Sequence, residues 1–214
     1  MAADLLIWNK HLCVNEFMQS KQKKSNPQGK GVVPVVNHWY TYEPVVVEKK
    51  STGQLFAEYF TSLLILSADF RFKPVQGANY FLYLKKQCWV LSLIEPERWS
   101  YERRGEYFGS CQLQEDMTWS IDTIDLESVH PDVDQALKLF YQQIALHLDS
   151  EKPLIEILPF YLDELPYYRR MAATGLARSM RHSFGEHALL DKPSKNVLSA
   201  LQLSNHNSEF LGIS

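Results

Sequence analysis

Asn79-Tyr80-Phe81-Leu82-Tyr83-Leu84, Lys85-Lys86-Gln87 and Cys88-Trp89-Val90-Leu91-Ser92-Leu93-Ile94 form the stretch whose reading decides the fold. Aromatic and branched side chains fill both flanks, and a short polar turn separates them. That is the signature of a β-hairpin. Upstream, Phe70–Val75 reads as a further strand ending at a Gln76-Gly77 turn. Downstream, Tyr107–Gln114 reads as another, ending at Glu115-Asp116 and leading into Met117–Ile121. Short strands joined by turn formers at this spacing predict a small antiparallel β-meander. The alternation in Trp89–Ile94 is imperfect, as expected of a strand covered on both faces.

Helical periodicity brackets these strands. Ser51-Thr52-Gly53-Gln54 fits a capping box, in which the Ser51 hydroxyl accepts from the amide of Gln54 and the Gln54 side chain reaches back. Behind it, Leu55, Phe56, Tyr59, Phe60, Leu63 and Leu64 make one apolar stripe, so a core helix is expected over 54–68. After Ile124, a second stripe comprises Val133, Ala136, Leu137, Phe140, Ile144 and Leu148, with Pro131 suited to the first turn. Pro153, Pro159 and Pro166 break the chain into short pieces, and a third helix is expected from Tyr167 to about Phe184, closed by Gly185. The fold class is therefore α+β, with the meander packed against several helices. Four regions follow: an N-terminal helix and basic linker over 1–31, a β-rich core with one helix over 32–127, a helical region over 128–190, and a tail over 191–214. In the first, residues 3–20 read as a helix and 21–31 as a polar linker. The Val32–Val47 run, interrupted by Pro34 and Pro44, reads as extended and edge-like. The Ser/Asn-rich tail reads as partly disordered or loosely docked.

Composition narrows the function classes. Among 214 residues, 45% are hydrophobic, 13% aromatic and 22% charged, within the globular norm. The net charge of −3 provides no general attraction to nucleic acid or anionic lipid, so any such binding needs a local basic patch. The apolar runs, such as Leu63–Leu66, are too short to span a membrane. Cys13, Cys88 and Cys111 are isolated and odd in number, which argues for reduced, structural thiols and a cytoplasmic address rather than a disulfide framework or thiolate zinc site. His182 and His187 straddle Gly185 and would not share a helical face, so no metal site is expected, and nothing calls for a cofactor. Gln28-Gly29-Lys30-Gly31 lacks the length and the Ser/Thr of a phosphate loop.

Two groups remain as candidates. Trp99, Asp116 and Trp119 follow strands in turns, where loops on a rigid scaffold carry function. Arg170, Arg178 and Arg181 fall within an arc of about 80° on the last helix, opposite Leu176 and Met180. An arginine stripe suits phosphate or carboxylate ligands.

Three blocks carry a resemblance. They are Gly77-Ala78-Asn79-Tyr80-Phe81-Leu82-Tyr83, then Leu91-Ser92-Leu93-Ile94-Glu95-Pro96-Glu97-Arg98-Trp99, then Phe108-Gly109-Ser110-Cys111-Gln112-Leu113-Gln114-Glu115-Asp116-Met117-Thr118-Trp119. Over 77–119 the chain resembles a domain-of-unknown-function family shared by bacteria and eukaryotes. That family's pattern runs G-x-x-Y-x-L-Y, then S-x-I-x-P-x-x-W, then F-x-G-x-x-x-L-x-x-D-M-[ST]-W. Ser100 stands where the family has glycine, so that turn is expected to differ. The resemblance implies a shared sheet module and no activity, and it transfers no catalytic residue. The first functional reading is a non-enzymatic binding or adaptor module for a protein partner. One alternative is a small-ligand-binding protein or enzyme with a site at the Trp99/Trp119 end of the sheet. Another is a nucleic-acid or other polyanion-binding accessory protein using the arginine face with Lys21, Lys23, Lys24 and Lys30.

Overall fold

In the computed structural model the described residues are 50–124, 129–159, 162, 164–197 and 199. The readings of 3–20, 21–31 and 32–47 therefore fall outside the described residues, as do Lys21, Lys23, Lys24 and Lys30. Helix α1 (Thr52–Ser67) begins at the expected capping box: Ser51 Oγ accepts from Gln54 N, and Gln54 Oε1 accepts from Ser51 N. From Tyr59 to Ser67 every residue is buried, so this helix lies in the interior.

Strands β1 (Asn79–Lys85) and β2 (Cys88–Ser92) form the hairpin. Lys86 and Gln87 take φ values of 49° and 63°. Two successive left-handed residues make the type of turn whose twist matches an antiparallel pair. Strand β3 (Glu106–Leu113) then pairs with β1, and β4 (Trp119–Thr123) pairs with β3. The sheet is antiparallel throughout, in the order β2-β1-β3-β4. It thus departs from a purely sequential meander. The connection from Leu93 to Gly105 carries the chain past the hairpin to the far edge of β1, so β1 becomes a central strand. A bulge in β3, where Tyr107 and Gly109 oppose Tyr83 and Leu82, leaves Phe108 as the extra residue.

Phe70–Val75 is not a strand. Its backbone pairs with the sheet only through bridges at its flanks, Asp69 to Val90 and Gln76 to Leu113, and both are parallel. Pro74 removes a ladder donor from the middle of the segment. Helices α3 (Pro131–Leu148) and α4 (Tyr167–Glu186) complete the described α-helices, with α2 (Tyr101–Arg104) a single turn inside the connection. The apolar stripe expected of α3 is buried residue for residue. α4 runs through Gly185 and ends at His187, and Ala188 takes the left-handed conformation (φ 51°) expected of a glycine there.

The core lies between α1, α4 and one face of the sheet. Tyr80, Leu82 and Leu84 point inward from β1, opposite Trp89 and Leu91 of β2 and Cys111 of β3. Among the tail residues that are described, Ser194 and Val197 are buried. Ser194 Oγ donates to Ser150 O at 3.0 Å, so this part is firmly seated rather than loosely docked.

Candidate functional site

Asp116 lies in the β3–β4 turn, where Met117 takes φ 67°. One carboxylate oxygen accepts from Thr118 N at 3.0 Å and from Thr118 Oγ1 at 2.6 Å, an Asx-type arrangement that fixes the turn. The other accepts from Lys50 Nζ at 2.6 Å, and the same ammonium reaches Glu58 Oε2 on α1 at 2.7 Å. The backbone of Lys50 is held as well: His187 Nε2, at the end of α4, donates to Lys50 O at 2.9 Å.

Burial alone would raise the pKa of Asp116, but the hydrogen bonds from Lys50 and Thr118 outweigh it, and the value is lowered. Burial disfavours the Lys50 ammonium, yet its two carboxylates reverse that and raise its pKa. Glu58, with burial the largest influence and only Lys50 to offset it, is raised. Asp116 is thereby engaged in tying the turn to α1 and α4, and its paired, low-pKa state does not suit it to accept protons near neutrality.

Trp119 follows on β4, 1% exposed, with its backbone N–H donated to Ser62 Oγ at 2.9 Å and its indole edge-on to Tyr80. It belongs to the inner face. Trp99 belongs to the other. Its ring meets Tyr83 edge-on at 5.6 Å, and Tyr83 alternates with the inward Leu82 and Leu84, so it points to the outer face. The two tryptophans do not converge on one site.

Sequence reasoning missed what surrounds Trp99. Tyr83, Tyr107 and Phe81 form an aromatic layer on the outer face. Tyr83 is fully buried there, and burial above all pushes its pKa up to about 12, with Arg104 pulling the other way. Its hydroxyl donates to Ile94 O at 2.8 Å, while Ile94 N donates to Ser92 Oγ at 3.0 Å. Further along, Lys85 Nζ donates to Arg103 O at 2.6 Å. At the end, Gly105 takes φ 77° so close to the hairpin that a Cβ would stand 2.3 Å from Leu84 O. The connection is clamped at both ends and in the middle. On it, Leu93 is 61% exposed, Ile94 42% and Tyr101 57%. The signal in the sequence was the break in alternation at Leu93-Ile94, just before Glu95-Pro96.

The arginines of α4 divide. Arg169, not singled out by its sequence position, is buried and points back to the end of α1. Its Nε and Nη2 donate to Leu66 O at 3.0 and 2.7 Å, and Nη2 also reaches Ser67 O at 3.3 Å. A guanidinium on the last carbonyls of a helix satisfies acceptors that the helix itself cannot. Burial lowers its pKa to about 10. The sequence did hold a signal, because Arg169 falls on the same arc as Leu176 and Met180. Arg170 and Arg178 are half-buried and Arg181 is exposed, so this group remains on the outward side of α4. His182 faces Glu186 at 3.7 Å, whereas His187 serves Lys50, so the two histidines do not come together.

Cys111 is free and buried, and burial pushes its thiol well up, which makes it a poor nucleophile. Cys88 is disulfide-bonded, which corrects the expectation of three reduced thiols, and Cys13 lies outside the described residues. Among the described residues no group of three or more His, Cys, Asp or Glu side chains could hold a metal ion, and no helix is long and apolar enough to cross a membrane.

Comparison with curated proteins and with solved structures gives no match. A family model does match, and it spans α1, the whole sheet and two thirds of α3, enclosing both the clamped connection and the Glu58–Asp116 pair while leaving out the arginines of α4. Residues 52–142 match the family described as "Protein of unknown function (DUF2452)".

Proposed function

We propose that this protein is a non-enzymatic binding module that docks a protein partner through the β2–β3 connection. One observation carries the reading. Of the six large apolar side chains that are strongly exposed among the described residues, Leu93, Ile94 and Tyr101 sit on this one segment, held by hydrogen bonds to the sheet beneath it. Exposed apolar groups gathered on a loop whose backbone is already ordered suit a partner surface, because little conformational entropy remains to be lost on docking. Support also comes from the fate of the residues that could do chemistry: Asp116 is committed to Lys50 and Thr118, and the Cys111 thiol is buried.

The test is site-directed photocrosslinking in native lysate, with the reactive residue at Leu93 and, as control, at Leu146, which is equally exposed on α3. A discrete protein adduct from Leu93, absent from Leu146 and lost with Ile94→Ser and Tyr101→Ser in the same chain, is the expected result. The same adducts from both positions, or none from Leu93, would overturn the reading.

A further inference from the structure

Arg104, the last residue of α2, sets a guanidinium among the exposed apolar groups of the connection. Its central carbon lies 5.9 Å from the centre of the Tyr101 ring. Its charge is also felt at the Tyr83 hydroxyl, which donates to Ile94 O at 2.8 Å. The Nε of Arg104 is buried, and no group among the described residues accepts its hydrogen. Buried donors are nearly always satisfied, so this one calls for an acceptor from elsewhere.

The neighbouring carboxylates do not supply it. Glu95 pairs with Arg98 at 3.2 Å, and Glu106 accepts from the Tyr101 hydroxyl. Among the described residues no acidic side chain reaches Arg104 at ion-pair distance. The surroundings then narrow what would fit. A guanidinium offers a planar fork that matches a carboxylate. A phosphate brings nearly two charges and suits clustered arginines, whereas Glu95 and Glu97 share the neighbourhood of Tyr83 with Arg104 and would repel it. A chain terminus is captured by free backbone amides. Here those of Arg103 and Arg104 both donate to Ser100 O, and that of Gly105 donates to Tyr101 O, so none is free. A singly charged side chain carried in an apolar segment meets all of these conditions. Arginine and tyrosine are also the residue types that most often dominate the energy of an interface.

We propose that the partner segment docked on the connection carries an Asp or Glu side chain between apolar residues, and that Arg104 receives this carboxylate while Leu93, Ile94 and Tyr101 meet the flanking groups. The inference rests on the docking reading above and adds the chemistry of the partner to it.

Selection of random peptides by the full chain tests it, with each peptide displayed as an internal loop of a carrier so that no free terminus is offered. Peptides that also bind the double variant Ile94→Ser, Tyr101→Ser are removed, so the survivors use the connection. They are expected to share an acidic position flanked by apolar ones. For a synthetic survivor with blocked ends, changing the acid to its amide should weaken binding about tenfold or more, the scale of a hydrogen bond to a charged group. That change is made in the peptide, so its effect is read on the unaltered protein. Arg104→Gln should weaken binding equally, and in that variant the amide change should have no further effect. Arg104→Lys, which keeps the charge and loses the fork, should fall between the two. Survivors without an acidic preference, or an acid whose replacement weakens binding as much in Arg104→Gln as in wild type, would overturn the role of Arg104 and leave the docking reading in place. If no peptide survives the removal step, the docking reading fails and this inference fails with it.

Discussion

Lys50 shows how a single side chain joins three distant parts of the chain. Its ammonium bridges Glu58 of α1 and Asp116 of the β3–β4 turn, and its carbonyl receives His187 from the end of α4. The signs of the shifts set the pH response. The lowered pKa of Asp116 adds stability that is full above its ordinary value of 3.8 and is lost as pH falls through the folded value. The raised pKa of Lys50 adds stability that is full below 10.5 and is lost as pH climbs through its folded value. Glu58 opposes them, since its ionised form is disfavoured by burial and protonation relieves it. Asp116→Asn is therefore expected to cost about 2 kcal/mol at neutral pH, the scale of a hydrogen bond to a charged group. The gap from wild type should narrow as pH falls below 3.8 toward the folded value. Urea melts at several pH values check this, and a gap that stays constant down to pH 3 would assign the loss to packing rather than to charge.

At the scale of elements, the close approach of strands is written into a glycine. A Cβ at Gly109 would stand 2.5 Å from Asp122 O and 3.0 Å from Thr123 Cα, against the backbone of β4. Gly109→Ala is expected to push β4 away from β3 and to destabilise by about 1–3 kcal/mol, the usual range for overpacking. Amide hydrogen exchange should show the loss of protection concentrated in Trp119–Thr123, and a loss spread evenly over all four strands would contradict it. The elements themselves were largely legible. The Ser51/Gln54 capping box, the apolar stripe of α3 and the β1–β2 hairpin are local patterns, each decided within a few residues. The sheet order was not, because pairing β3 with β1 rather than β2 satisfies the same alternation and depends on where the Leu93–Gly105 connection takes the chain. Phe70–Val75 misled for a related reason: its side chains suit a strand, but Pro74 and the lack of a full pairing partner leave it as flanking chain. The outer aromatic layer was illegible in the same way. Tyr83 reads as an alternating strand residue, and only the returning connection, which places Trp99 against it, makes that face an interior.

For the whole molecule, the proposed docking surface on the connection competes with the arginine face of α4. The net charge of −3 supplies no general field for a polyanion, so that alternative rests on Arg170, Arg178 and Arg181 of α4. Neighbouring Arg169 is already used inside the fold, where it caps α1. The docking proposal and the polyanion alternative differ in their response to salt. Apolar docking on Leu93, Ile94 and Tyr101 changes little with ionic strength, whereas each phosphate neutralised by an arginine releases counterions and steepens the fall of affinity with salt. Because Arg170 and Arg178 are half-buried, replacing the three arginines by Gln together is expected to lower stability by about 1–3 kcal/mol. It should also leave the Leu93 crosslink unchanged. Titrations of labelled RNA, DNA and heparin at low salt are expected to give the same weak signal for wild type and the triple variant. Tight, salt-steep binding by wild type that the triple variant loses would move the functional surface from the sheet to α4.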